Sequence, residues 1–308
     1  MYLEKRKTKS IPRSFNKITK FDYLKYIQRY SPLDFAIKIS GFGASESIPK
    51  INEPTYFIAL MDGDASFSLD FNEYDIKGKN VLFMSPYQLL TWGSGNLKSI
   101  RFLQFHGDFY CIEYHKAEVA CNGILFNNIY DKPYIAVNNI LFDEISTLFD
   151  KVQKIGNAGT NYDLSVVRSY LQLILALSSR EKQIDGKNIK ILSDKSDILN
   201  FKAMLDTSFA TSKSVSFYAE QYGLSVNAFS KKVKKHYGKV PSKLIQERLT
   251  LEAKKLLHLT YKSIKEISAE LGFEDEFYFS RYFKKEVGVS PKTFREKVGI
   301  SIVAEKSM

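Results

Sequence analysis

The strongest constraint in this chain is an internal repetition at an offset of fifty residues. Phe229 answers Phe279, Ser230 answers Ser280, Lys231 answers Arg281, and Val233 answers Phe283. Lys234 and Lys235 answer Lys284 and Lys285, Gly238 answers Gly288, and Pro241 answers Pro291. Repetition of this kind denotes a repeated structural unit, and two copies are too few for a solenoid. Each copy reads as helix, tight turn, helix. In the first, residues 215–222 form a short helix ended by Gly223. Ser225 caps a second helix that runs to Tyr237, and Gly238 stops it. In the second, Ser263 and Glu266 have capping-box spacing, and Gly272 ends the short helix. Asp275 caps the next helix and Gly288 terminates it. The turn is one residue longer in the second copy, because Gly223 to Gly272 is 49 while Gly238 to Gly288 is 50.

A short helix, a glycine-bearing turn and a second helix follow the plan of the helix-turn-helix, whose second helix enters the DNA major groove. Phe229 and Val233, like Phe279 and Phe283, lie four apart and give each second helix a buried side. A different face carries Asn227, Ser230, Lys231 and Lys234. Its counterpart carries Glu276 or Phe277, then Ser280, Arg281 and Lys284. Hydrogen-bonding and cationic groups at this spacing address base edges and phosphates together. Between the copies, residues 242–257 place Leu244, Ile245, Leu249, Ala253, Leu256 and Leu257 at helical spacing. This long helix is expected to brace the two units about one DNA turn, roughly 34 Å, apart.

Residues 264–295 resemble the signature of the AraC/XylS family of bacterial transcription regulators. The matching residues are Ile267, Ala269, Leu271-Gly272-Phe273, Tyr278-Phe279, Arg281, Phe283-Lys284-Lys285, Gly288, Ser290-Pro291 and Arg295. Upstream, Glu252-Ala253 and Leu256-Leu257 fit as well. The resemblance covers about the last hundred residues. It implies a domain with two helix-turn-helix units, usually fused to a variable regulatory domain.

A length of 308 residues suggests two domains. The net charge of +11 is uneven: residues 201–308 hold 20 Lys/Arg against 12 Asp/Glu, and residues 1–200 hold 25 against 22. The excess therefore sits beside the proposed polyanion partner, although basic chains are common. Cys111 and Cys121 without a CxxC argue for a reducing compartment. No apolar run reaches membrane-spanning length, and the basic first residues lack a secretory apolar core, so a cytoplasmic chain is expected.

Before the linker the pattern changes. Residues 1–16 read as a loose tail and 17–30 as a short helix. Strands are predicted over 35–39, 55–60, 65–71, 81–84, 100–106 and 134–137. Turns are predicted at Gly41 and Gly43, Asp62-Gly63-Asp64, Gly78 and Gly93-Ser94-Gly95. Many short aromatic and β-branched strands suggest a small barrel or roll. It is loosely similar to the cupin-like sensor domains attached to some members of the family. Phe57, Phe67, Phe83, Trp92, Phe102 and Phe105 are candidate walls of a ligand pocket, or core. Helices follow over 140–155, opened by Asn138 or Asn139, and over 164–182. The second packs on the barrel or pairs two subunits.

The expected class is α+β: a cupin-like sensor and dimerisation domain over 1–182, a linker over 183–197, and an all-α DNA-binding domain over 198–298. Its helix-turn-helix units lie at about 215–237 and 263–287. Arg281 is the strongest base-reading candidate, bidentate to guanine, and Lys231 holds the same slot in the first unit. Asn227 suits adenine, Ser230 and Ser280 are adaptable donors, Phe277 suits a thymine methyl, and Glu276 suits cytosine N4 or the helix N-terminus. Lys234, Lys235, Lys284 and Lys285 suit phosphates, or simply a solvated face. The expected function is an effector-responsive activator that binds double-stranded DNA as a homodimer, with RNA polymerase as partner, an unknown small-molecule effector, no membrane and no cofactor. No catalytic residue or metal site is assigned. The competing reading is a cupin-type enzyme or metal sensor with an auxiliary DNA-binding domain. His106 and His115, with Cys111, Glu113 and Cys121 nearby, lack the HxH that such metal sites use.

Overall fold

A computed structural model describes residues 37–43, 50–70, 72–107, 109–110, 124–126, 129–155, 161–192, 198 and 200–300. The helix expected over 17–30, Cys111, Glu113, His115 and Cys121 lie outside the described residues. Chain compactness separates Met1–Asp34, also outside them, from Phe35–Met308, the unit described below.

Six antiparallel strands form one sheet: β1 (Ile37–Gly43), β2 (Tyr56–Leu69), β3 (Asn72–Ile76), β4 (Lys79–Met84), β5 (Leu90–Phe105) and β6 (Tyr134–Ala136). The order is β1-β5-β2-β4-β6, with β3 folded back on β2. Among the described residues the sheet does not close, since β1 pairs with β5 and β6 with β4 at its two edges. An open antiparallel sheet therefore stands where a barrel was expected.

Three predicted turns are not turns: Gly41 and Gly43 lie inside β1, paired with Arg101 and Ser99. Asp62-Gly63-Asp64 lies inside β2, opposite Ser99, Leu97 and Asn96 of β5, and Gly93-Ser94-Gly95 lies inside β5, with Gly95 opposite Ala65. Register shifts mark both sides of the stretch. Gly95, at φ +155°, leaves no room for a β-carbon: one there would come within 2.5 Å of the Ala65 Cα. Glycines inside a strand mark such bulges and close backbone approaches as readily as they mark turns.

Alternation along the strands creates two cores. Tyr56, Ile58, Leu60, Val81, Phe83, Leu103 and Phe105 face helices α1 (Asn139–Ile155) and α2 (Asn161–Leu192). The opposite face gathers Phe57, Met61, Phe67, Leu82, Met84 and Phe102, with Trp92 packed against them. The six aromatic residues proposed as one pocket wall are thus divided, Phe83 and Phe105 pointing away from the other four. Asn138 caps α1 by accepting from the Leu141 amide at 2.9 Å. Helix α2 spends Val167, Leu171, Ile174, Leu175 and Leu177 on the sheet and continues through residues 183–192, which the sequence reading gave to a linker.

The helical half holds α3 (Phe201–Ser208), α4 (Val215–Gln221), α5 (Val226–Tyr237), α6 (Pro241–Leu259), α7 (Ile264–Glu270), α8 (Glu276–Val287) and α9 (Pro291–Val298). The first head buries Ile198, Phe201, Leu205, Tyr218, Phe229 and Val233, together with Leu244 and Ile245 from the start of α6. The second buries Ile267, Leu271, Phe279, Phe283 and Phe294, with Leu249, Ala253, Leu256 and Leu257 from the rest of α6. One helix therefore belongs to both cores. Phe209 packs against both as well.

Candidate nucleic-acid interface

The local chemistry of the two heads explains their shared geometry. Ser225 accepts from the Ala228 amide and opens α5; Gly238, at φ +73°, closes it in the left-handed conformation. Asp275 accepts from the Phe277 and Tyr278 amides and opens α8; Gly288, at φ +87°, closes it. Ser263 and Glu266 form a reciprocal capping box at α7, and the hydrogen bonds from Ser263 hold the Glu266 carboxyl below its ordinary range. Since α5 and α8 begin and end fifty residues apart, each residue of one has a direct counterpart in the other.

Their buried sides are Phe229 and Val233 in α5, and Phe279, Phe283 and Val287 in α8. Asn227, Lys231, Lys234 and Lys235 are exposed on α5, and Ser230 is half-buried. Phe277, Arg281, Lys284 and Lys285 are exposed on α8, while Glu276 and Ser280 are half-buried. Phe277 is 71% exposed, an unusual position for a large apolar ring on a capped helix that already has a full buried side. Tyr278 beside it is exposed too, although the sequence reading gave it no contact role. Its signal was available, because Phe279 and Phe283 fix the buried side and leave position 278 off it. Lys234, Lys235, Lys284 and Lys285 also sit in the last turns of their helices, where they complement the helix dipole without any ligand.

The sheet half touches both heads. Lys239, the residue after the Gly238 stop, donates to the Ile129 carbonyl at 3.0 Å and pairs with Glu247 at 2.7 Å. Asn72 donates to the same Glu247 carboxylate at 2.8 Å. Lys254 donates to the Pro86 carbonyl at 3.1 Å, and burial lowers its pKa. Tyr87 packs 5.6 Å from Phe294 inside the second core. A cleft of about 140 Å³ remains between the two halves. His106 is buried, with Nε2 3.0 Å from the Lys297 carbonyl oxygen, a structural position between the halves. Among the described residues, no group of three or more His, Cys, Asp or Glu is placed to hold a metal ion.

A profile of the helix-turn-helix domain matches residues 218–297, which run from α4 to α9 and so include both α5 and α8. Over residues 218–297 this chain carries a helix-turn-helix domain, similar to that of AraC/XylS regulators. The HTH-type transcriptional activator RhaS of Salmonella schwarzengrund (strain CVM19633) is 25% identical over 164 residues, 52% of this chain and 56% of that protein. The chain thus spans about half the length of the curated relatives it matches. The C-terminal domain of AraT, a response regulator from Geobacillus stearothermophilus, is 28% identical and covers 35% of this chain and 90% of its own, with a TM-score of 0.33. ToxT K231A from Vibrio cholerae strain SCE256 is 16% identical and covers 86% of this chain and 99% of its own, with a TM-score of 0.38. The curated relatives it matches are named as transcriptional activators.

Much of the AraC/XylS signature is scaffold. Ile267, Leu271, Phe279 and Phe283 are core, and Pro291 opens α9. Arg295 donates from Nε to the Leu257 carbonyl at 3.1 Å and from its terminal nitrogen to the Lys262 carbonyl at 2.6 Å, tying α9 to the end of α6. Burial lowers its pKa. Ser268 departs from the pattern of a satisfied core. It is 2% exposed and its hydroxyl has no partner, whereas the first head has buried Ala219 at the equivalent position. Ser268→Ala is expected to raise stability by about 1 kcal/mol, since an unsatisfied buried hydroxyl costs about that much. A lower denaturation midpoint in the variant would contradict this account.

Proposed function

We propose that the chain is a sequence-specific regulator that binds double-stranded DNA and activates transcription in response to an effector, with α5 and α8 entering two successive major grooves. One observation carries the reading: two equivalent helices expose cationic and hydrogen-bonding residues and are joined by a single helix that belongs to both their cores. With 19 residues, α6 spans roughly 28 Å, comparable to the roughly 34 Å between successive major grooves. Arg281 and Lys231 read guanine, Asn227 adenine, and Phe277 a thymine methyl, with Ser230, Ser280 and Glu276 adjusting to neighbouring bases. Lys234, Lys235, Lys284 and Lys285 bind phosphates.

The test separates these roles on purified protein. Arg281→Ala is expected to cost about 1–3 kcal/mol at a selected site and to relax the base preference there. Lys234→Ala is expected to weaken binding on all duplexes and to reduce the salt slope by about 1. Identical behaviour of the two variants on selected and random duplexes overturns the assignment.

The same proposal divides the chain into a cupin-like sensor half in open-sheet form over 1–182, a linker over 183–197 whose residues 183–192 are the end of α2, and a DNA-binding half over 198–298. Contacts of Ile129 and Pro86 with Lys239 and Lys254 support an effector-sensitive coupling, because a shift in the sheet reaches both heads. RNA polymerase as a partner and a cytoplasmic location belong to this reading. No helix among the described residues is long and apolar enough to cross a membrane.

A homodimer completes the proposal. With its other apolar face spent on the sheet, α2 exposes Tyr162, Val166 and Leu173 at near-heptad spacing. Light scattering on the eluting chain is expected to give twice the monomer mass, and Leu173→Glu is expected to lower it. A monomer at high concentration removes the idea.

A further inference from the structure

Two heads that share a helix can still rock about it, since packing on a helix resists rotation weakly unless something off the axis holds it. The structure contains such a fastening. Lys213, just before α4 in the first head, donates from Nζ to the Gly272 carbonyl in the turn of the second head. The same ammonium lies 3.9 Å above the Phe273 ring. Phe273 packs 5.3 Å from the ring of Tyr282 on α8. The Tyr282 hydroxyl donates to the Gln246 carbonyl at 3.1 Å and lies 3.3 Å from the Thr250 hydroxyl. Gln246 and Thr250 lie on α6 where the first core gives way to the second, between Ile245 and Ala253. The first head is seated closely here: a β-carbon at Gly272 would come within 2.3 Å of the Ala210 carbonyl oxygen.

The fastening lies where the repeat breaks its own pattern. Tyr282 stands where the first copy has Lys232, so the first copy has no hydroxyl at that position. An interface between two successive copies has unlike sides, and each copy must differ where it meets the other.

We propose that Lys213 and Tyr282 are positioning residues that fix the separation and angle of α5 and α8, and thereby the spacing of half-sites the chain accepts. This rests on reading α5 and α8 as the DNA-contacting helices. Neither residue touches DNA in this role. A surface lysine that merely binds phosphate would instead change affinity uniformly and lower the salt slope.

The test uses the full chain and the double variant Lys213→Met, Tyr282→Phe, which keeps the bulk of both side chains. First, spin labels on unnatural residues at exposed positions 227 and 277 report the distance between reading helices without DNA. The parent is expected to give one narrow distribution and the double variant one about twice as wide. Second, a duplex selected by the parent from a random pool is lengthened by one base pair between its two half-sites, turning one by about 35° relative to the other. Parent binding is expected to fall about tenfold or more, and variant binding about threefold or less. An unchanged distance distribution overturns the assignment, and so does an unchanged spacing preference. If the parent selects no sequence at all, the DNA reading itself fails, and the distance measurement still reports on the fastening.

Discussion

Gly272→Ala is expected to cost more than about 3 kcal/mol, while Gly223→Ala costs about 1 kcal/mol. The two glycines occupy the same place in the two helix-turn-helix turns, at φ +66° and +61°. The intrinsic strain of placing a β-carbon in the left-handed region is therefore the same for both. Their surroundings differ. A β-carbon at Gly223 meets nothing within 4 Å, whereas one at Gly272 comes within 2.3 Å of the Ala210 carbonyl oxygen. That oxygen is backbone and cannot rotate aside, so the loop of the first head must lift off the turn of the second. Chemical denaturation followed by circular dichroism measures both costs. Equal values would mean that the close approach of the heads is not maintained in solution.

Phe201→Ala carries the second large effect, a loss of about 3–5 kcal/mol. Phe201 is fully buried and meets three rings edge-on: Tyr218 at 5.5 Å, Phe229 at 5.4 Å and Tyr237 at 5.9 Å. Truncation leaves a cavity that these rings cannot fill without breaking their own contacts. Tyr218 is further fixed by its hydroxyl, which donates to the Ser212 carbonyl at 2.9 Å, and burial raises its pKa to about 12. The position is informative because Phe201 precedes the residues 218–297 matched by the helix-turn-helix profile. The first head thus takes an essential part of its core from a helix outside that match. The exposed Tyr278→Ala is the control, expected to change stability by less than about 1 kcal/mol. If the two variants melt alike, Phe201 is not the keystone of that core.

The helical half was largely legible because its signals are local. Caps such as Ser225, Ser263 and Asp275 act within three residues, and Gly238 and Gly288 act at a single backbone position. Spacing of four between Phe229 and Val233 states which side is buried. The sheet half was less legible because its determinants are non-local. Asp62-Gly63-Asp64 and Gly93-Ser94-Gly95 carry turn composition, yet each continues a long strand because the neighbouring strand pairs alongside it. The local sequence of either alone does not show the partner. The same holds for Phe83 and Phe105, whose direction depends on register with β2 rather than on their own neighbours.

By itself, the sequence determined two capped helix pairs, the exposed residues of α5 and α8, and the long helix between them, because backbone caps and helical periodicity need no partner from elsewhere in the chain. Tertiary structure alone decided that α6 is divided between two cores and that Arg295 clamps α9 to the end of α6. It also decided that Lys213 reaches across to the second head. These are relations between segments far apart in the chain, and packing sets them where local conformational preference is silent.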